Sequence, residues 1–324
     1  MTTRLRIRTR LGLFVSLFAV ALAGCSSGAQ PIDPAPVGEV QRPFPAGTEI
    51  DPELGSGGGS EEDCDPTASL RPNSSVPPGS TMAKIKERGH LIVGVDQNTY
   101  LFGFPDPETG KLSGFDIDIA RKIAEALLGN ADAVHFKAIS SAERIDALRN
   151  GDVDIVVRTF SITCDRLEDI NFSTVYYVAG QRVLVPVGST ARGLSDLGDK
   201  RVCAAKDSTS LRNIAASRPR PIPVAVDDWS DCLVLLQQGQ VDAISTDDTI
   251  LAGLRAQDRT GTKIVGEPFT KEYYGIGIPK ENEDMVRFVN AVLENIRGGA
   301  WQASYDRWLR EHLGPASPPK PEYR

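Results

Sequence analysis

Residues 153–166 read VDIVVRTFSITCDR, and the fold turns on how this stretch is read. Val153, Ile155, Val156 and Val157 form a short apolar run. That pattern fits a strand buried on both faces, as in a parallel sheet. The run breaks into Arg158, Thr159, Ser161 and Thr163, then Asp165 and Arg166. Ligands of open α/β sheets sit beyond the carboxyl ends of the strands. Two guanidinium groups and several hydroxyls at such an end suit a small ligand that carries carboxylates. Arginine grips a carboxylate through paired, geometrically fixed hydrogen bonds that lysine cannot copy.

The pattern recurs further along the chain. Leu148-x-x-Gly151-x-Val153-Asp154-Ile155-Val156 matches Leu236-x-x-Gly239-x-Val241-Asp242-Ala243-Ile244. Each copy reads as a helix end, a glycine cap and a buried strand. Arg158 and Thr159 follow the first copy; Thr246, Asp247 and Asp248 follow the second. Two half-units facing each other would bring a basic tip and an acidic tip across one cleft, which fits a zwitterion. Around them strands and helices alternate. LIVGVD (91–96) and RVCAA (201–205) read as strands. Residues 116–128, 142–150 and 228–238 read as helices. Two further stripes, Val286/Val289/Leu293/Ile296 and Trp301/Tyr305/Trp308/Leu309, are core faces. The class is α/β with mainly parallel strands.

The N-terminus points to export. Arg4, Arg6, Arg8 and Arg10 precede the apolar stretch Leu11–Ala23. That stretch is too short for a membrane-spanning helix, which needs about 20 residues, but suits the core of a signal peptide. It ends in Leu22-Ala23-Gly24-Cys25, which resembles a bacterial lipobox. The resemblance implies a leader over 1–24, cleavage before Cys25 and lipidation of that cysteine, with more than one chain for stable anchoring. Residues 25–80 are rich in Pro, Gly, Ser and acids and read as a lipid-anchored disordered tether. The net charge is −7 before cleavage removes four arginines. So acidic a chain argues against nucleic acid and anionic membrane surfaces as partners. Metal chemistry finds little support: there is no CxxC, and His90, His135 and His312 are not spaced with a cysteine.

Taken in order, these motifs resemble the extracytoplasmic solute-binding proteins, family 3, of ATP-driven polar amino acid importers. The likeness covers about 85–312. It is carried by LIVGVD, by Gly114-Phe115-Asp116-Ile117-Asp118, and by Val153-Asp154 through Ser161-Ile162-Thr163 and Arg166. Asn171-Phe172-Ser173 with Tyr176-Tyr177, Val241-Asp242-Ala243 with Asp247, Tyr274-Gly275-Ile276 and Trp308-Leu309 continue it. The resemblance implies a two-lobed periplasmic-binding-protein-like fold of type II, with the ligand in the cleft between lobes. Lobe 1 would be 81–185 and 270–312, lobe 2 would be 186–269, and 313–324 a flexible tail. The hinge strands would lie near Arg182–Pro186 and Gly266–Phe269, and closure would be by hinge bending.

The resemblance also implies site roles. Arg166 would hold the ligand α-carboxylate, helped by Ser161, and Asp247 the α-ammonium. Thr209 and Ser210 would donate to the carboxylate from a lobe 2 loop that Lys206 begins, at a helix N-terminus. Asp96, Tyr100 and Phe102 would line and cover the pocket. Arg158 and Thr159 stand where glutamine-binding relatives have small residues. A buried cation is costly unless paired, so Arg158 is expected to meet a ligand side-chain carboxylate. Glutamate and aspartate are therefore favoured, with asparagine and glutamine next should Arg158 pair internally with Asp96.

After Cys25, four cysteines remain, and an even number in an exported chain suggests two disulfides. Of three possible pairings the preferred one joins Cys203 to Cys232, which share an expected lobe, and so Cys64 to Cys164. No enzymatic activity is expected, since no histidine falls in a pocket motif. No cofactor is expected. The protein is read as a monomer anchored to the outer face of the bacterial cytoplasmic membrane. It would hand an amino acid to an importer permease or, alternatively, present its closed form to a membrane sensor.

Overall fold

The repeated segment forms the middle strand of each of two sheets. In the first sheet, Leu91–Val95 lies parallel to Val134–Ala138 on one side and to Ile155–Val156 on the other. Beyond Ile155–Val156, Gly277–Pro279 pairs antiparallel with it and with Ile170–Phe172. In the second sheet, Arg201–Ala205 lies parallel to Ile222–Val226 and to Ala243–Asp247. Gln181–Pro186 then pairs antiparallel with Ala243–Asp247 and with Thr262–Val265. The two orders are the same, so the repeat read from sequence is a repeat of architecture. Gly151 and Gly239 both stand at φ +69°, a left-handed turn that glycine takes without a Cβ penalty. Each turns a helix end into the middle strand.

The computed structural model describes residues 42–54 and 64–324, and Pro43–Arg324 forms one contact unit. The expected leader 1–24, the expected lipidation site Cys25 and part of the expected tether lie outside the described residues. Each sheet has its own core. Helix Phe115–Leu128 turns Phe115, Ile119, Ile123 and Leu127 onto the first sheet. Helix Glu283–Arg297 adds Val286, Val289 and Leu293 to the same core. In lobe 2, helices Thr209–Ala216 and Trp229–Gln237 cover Val202, Val224 and Ile244.

The chain crosses between the lobes on Tyr177–Ala179 and Glu272–Tyr274, which pair antiparallel. This corrects the expected hinge at Arg182–Pro186. Gln181–Pro186 is bonded on both sides within the lobe 2 sheet, which removes the backbone freedom a hinge requires.

Two segments expected to be disordered are packed. Glu49–Ile50 adds an antiparallel strand to the outer edge of the lobe 2 sheet, against Val224–Ala225. Lys206 pairs with Glu49 at 3.0 Å, and Arg220 with Asp51 at 2.5 Å. An exposed sheet edge recruits backbone, not apolar side chains, so composition gave no hint of this. From Cys64 onward the chain lies on lobe 1. Ala68–Ser69 pairs parallel with Glu322–Tyr323, and Ser69 Oγ donates to the Phe172 carbonyl at 2.9 Å. The tail 313–324 is thus docked through the short strand Glu322–Tyr323, and is further held by Arg297 Nε donating to the Pro319 carbonyl at 2.9 Å.

Both disulfides pair as preferred, Cys64–Cys164 and Cys203–Cys232. The first fastens the N-terminal arm to helix Cys164–Asp169, two residues before Arg166. The second lies wholly in the buried core of lobe 2. Replacing both Cys203 and Cys232 with alanine should lower unfolding stability by about 2–4 kcal/mol. Chemical denaturation of the oxidised protein checks this, and an unchanged midpoint would contradict it.

Candidate functional site

The carboxyl ends of the two middle strands meet across the cleft and enclose a small polar cavity. Among the described residues, its charged lining residues are Arg144, Arg166 and Asp247. Ser161 and Thr159 from lobe 1, and Thr209 and Ser210 from lobe 2, also line it. The enclosed free space is about 10 Å³, room for roughly one water, against about 300–1,000 Å³ in typical small-molecule sites. At that volume the cleft is closed.

Arg166 sits in the short helix Cys164–Asp169, capped by Thr163 Oγ1 accepting from the Arg166 backbone N–H at 3.3 Å. Its Nη1 donates to the Ser161 carbonyl at 2.6 Å and its Nη2 to the Asp207 carbonyl of lobe 2 at 2.7 Å. Arg144 donates from Nε to the Ser141 carbonyl at 2.8 Å and from Nη2 to the same Asp207 carbonyl at 3.3 Å. Both guanidinium groups lie over the Phe160 ring, at 4.2 Å for Arg144 and 4.9 Å for Arg166. Both are buried, and neither forms an ion pair among the described residues. Burial, with Arg212 nearby, lowers Arg166 to about 10. Burial and the charges of Arg166 and Arg158 hold Arg144 well below the usual range.

Asp247 ends its strand fully buried. Tyr274 donates its hydroxyl to Asp247 Oδ2, and Thr249 Oγ1 lies 2.9 Å from the same hydroxyl. Asp247 Oδ1 has no hydrogen-bond partner among the described residues. Burial, then the Glu272 charge, pushes the carboxyl well above its ordinary value. An ammonium group on Oδ1 would relieve both penalties. Thr209 Oγ1 donates to Glu272 Oε2 at 2.9 Å, and Ser210 Oγ to Thr246 Oγ1 at 3.1 Å. These place the start of helix Thr209–Ala216 against the cavity, with Ser208 as its cap.

Several expected site residues lie elsewhere. Arg158 does not line the cavity. It is buried against Asp96, Nη2 to Oδ2 at 2.7 Å, and donates to the Ile139 carbonyl at 2.7 Å and to Ser141 Oγ at 2.6 Å. Its charge is therefore neutralised within lobe 1, which removes the stated reason for it to select an acidic ligand. Lys206 points its ammonium outward to Glu49 and Asp227. Phe102 is buried in the lobe 1 core, edge-on to Phe115 at 5.8 Å. Tyr100 packs on Phe104 at 4.6 Å.

Sequence reasoning missed Arg144, Phe160 and Trp229. Arg144 lies in a segment, 142–150, that the sequence marked only as a helix. A cation in the first turn works against the helix dipole, and that is the signal that could have marked it.

Thr159 stands at φ +38°, strained for a β-branched residue. Its backbone N–H donates to Asp116 Oδ2 at 2.8 Å, while Tyr176 donates to Oδ1 at 2.8 Å. Burial raises Asp116 to about 7, with the Asp96 charge raising and that of Arg158 lowering it. The folded state thus holds the proton more tightly than the unfolded chain, whose value is near 3.8. The protonated form favours folding, so the contribution of Asp116 falls as pH rises from about 4 to about 7. Asp116→Asn should flatten that part of the stability–pH profile, gaining stability relative to wild type at pH 8 more than at pH 4. Melting curves across that range check this, and parallel profiles would contradict it.

Among the described residues no group of three or more His, Cys, Asp or Glu converges as a metal site. Nor is any helix long and apolar enough to cross a membrane.

Comparison with known proteins agrees with this architecture. Residues 91–311 match the profile of the bacterial extracellular solute-binding proteins, family 3, and the chain belongs to that family. The ABC transporter glutamine-binding protein GlnH of Bacillus subtilis (strain 168) is 37% identical over 233 residues, covering 71% of this chain and 85% of that protein. The glutamate-binding protein GluB of Corynebacterium glutamicum is 31% identical over 239 residues, covering 70% and 80%. Among solved structures, an ancestral arginine-binding protein bound to glutamine superposes with a TM-score of 0.63 at 35% identity, covering 70% of this chain and 99% of that one. The solute receptor for L-cysteine of Neisseria gonorrhoeae gives 0.68 at 26% identity, covering 72% and 96%.

Proposed function

We propose that this protein captures a polar amino acid, with glutamate and aspartate favoured over asparagine and glutamine, by closing its lobes, and delivers it to an ABC importer. The observation that carries the reading is the charge of the cavity: two buried guanidinium groups against one carboxylate. A ligand with two carboxylates and one ammonium balances it. Arg166 takes the α-carboxylate together with the start of helix Thr209–Ala216, where backbone N–H groups favour an anion. Asp247 Oδ1 takes the α-ammonium. Arg144, not Arg158, faces the side-chain carboxylate. Ser161 and Thr159 complete the lobe 1 wall, with Ser210 opposite. The relatives named for glutamine and glutamate support a polar amino acid ligand. The leader-like stretch and the lipobox-like Leu22–Cys25 support export and a lipid anchor for a protein that works as a single chain.

A calorimetric screen of the twenty amino acids tests this. Glutamate or aspartate should bind most tightly. Arg144→Gln should weaken those two by about 2–5 kcal/mol, the usual effect of removing one partner of a buried charge pair, and weaken the amides much less. Equal losses, or none, would remove Arg144 from the role.

Closure has its own test. A Cβ on Gly253 of lobe 2 would lie 2.4 Å from the Tyr100 carbonyl of lobe 1. Gly253→Ala should hold the lobes apart and weaken every ligand by a similar factor, although the residue touches none. Small-angle scattering with saturating ligand should then give a larger radius of gyration than wild type. Wild-type affinity and compaction would contradict the closed form described above.

A further inference from the structure

The cavity holds a second unpartnered polar atom besides Asp247 Oδ1. Trp229 opens helix Trp229–Gln237 of lobe 2, is 3% exposed, and lines the cavity. Its Nε1–H has no hydrogen-bond partner among the described residues. The chain has three tryptophans, and the other two are satisfied. Trp301 Nε1 donates to the Tyr176 carbonyl at 2.8 Å, and Trp308 Nε1 to Asp118 Oδ2 at 2.8 Å. Buried indole N–H groups normally find an acceptor, and leaving one unmade carries a desolvation penalty. An unpaired donor in a closed polar cavity therefore asks for an acceptor on whatever fills that cavity.

We infer that Trp229 is a specificity-determining residue whose indole N–H donates to an oxygen on the side chain of the bound amino acid. The inference rests on the amino-acid-binding reading above and adds to it a lobe 2 contact to the ligand side chain. The chemistry is selective because the indole nitrogen donates and never accepts. A carboxylate or amide oxygen satisfies it. An ammonium, a guanidinium or an alkyl chain cannot, and leaves the donor buried and unpaired. Sites built to hydrogen-bond a ligand group reject analogues that lack it for this reason. Arg144 from lobe 1 and Trp229 from lobe 2 line the same cavity. The ligand side chain would thus be held from both lobes and its recognition completed only on closure. The Trp229 ring, buried in the lobe 2 core, gives the donor a fixed direction.

The test is nuclear magnetic resonance of the three indole N–H groups in the full mature chain, titrated with glutamate and run beside calorimetry. The Trp229 resonance, assigned by its loss in Trp229→Phe, should move downfield on binding and exchange more slowly with solvent. The Trp301 and Trp308 resonances should stay near their free positions. Trp229→Phe keeps an aromatic ring but removes the donor; it should bind glutamate about tenfold more weakly and lose less affinity for alanine. Glutamate binding seen by calorimetry with an unmoved Trp229 resonance would overturn the inference, whether or not the variant folds. So would a folded variant that binds glutamate as tightly as wild type. A wild type that binds no amino acid would sink the proposed function first and this inference with it, a result calorimetry alone identifies.

Discussion

One backbone carbonyl, that of Asp207 in lobe 2, accepts hydrogen bonds from Arg144 and Arg166 of lobe 1. Asp207 stands at φ +51°, a left-handed conformation that aspartate adopts more readily than most residues other than glycine. The rest of the cleft is arranged around that contact. It brings the start of helix Thr209–Ala216 against the arginines and sets Asp247 opposite them. A carbonyl carries only a partial charge, so the guanidinium groups remain under-compensated in a dry site. The closed form is one in which the arginines are held but not neutralised, and an anionic ligand would supply the missing charge.

The supports of these groups are spread through the fold. Phe160 lies beneath both guanidinium groups. Ser141 links Arg144 to Arg158 through its carbonyl and hydroxyl, and Arg158 is in turn neutralised by Asp96. Asp116 fixes the strained Thr159 backbone from behind. On the other side Tyr274, on a crossing strand, holds one oxygen of Asp247 and leaves the other open. Tyr274 thus ties Asp247 to one of the strands that join the lobes.

Much of this was legible in the sequence. The Gly151 and Gly239 repeats announced two equivalent strands, and Arg166 and Asp247 were marked by standing at their ends. Ser161 stood in the loop after the first of these strands, whereas Thr209 and Ser210 follow strand Arg201–Ala205 and were named only through the family resemblance. What escaped detection depended on partners distant in sequence. Arg158 and Arg144 look alike in a string of letters. Only the fold shows that Asp96 reaches the first and that, among the described residues, no carboxylate pairs with the second. The edge strand Glu49–Ile50 and the docked tail were invisible for another reason: both are held by backbone pairing and a few polar contacts, and their composition reads as linker.

The most direct test of the account is a crystal structure with glutamate bound. The α-carboxylate should lie on Arg166, the ammonium on Asp247 Oδ1 and the side-chain carboxylate on Arg144, with Arg158 still paired to Asp96. A side-chain carboxylate resting on Arg158, with Arg144 out of reach of the ligand, would contradict it.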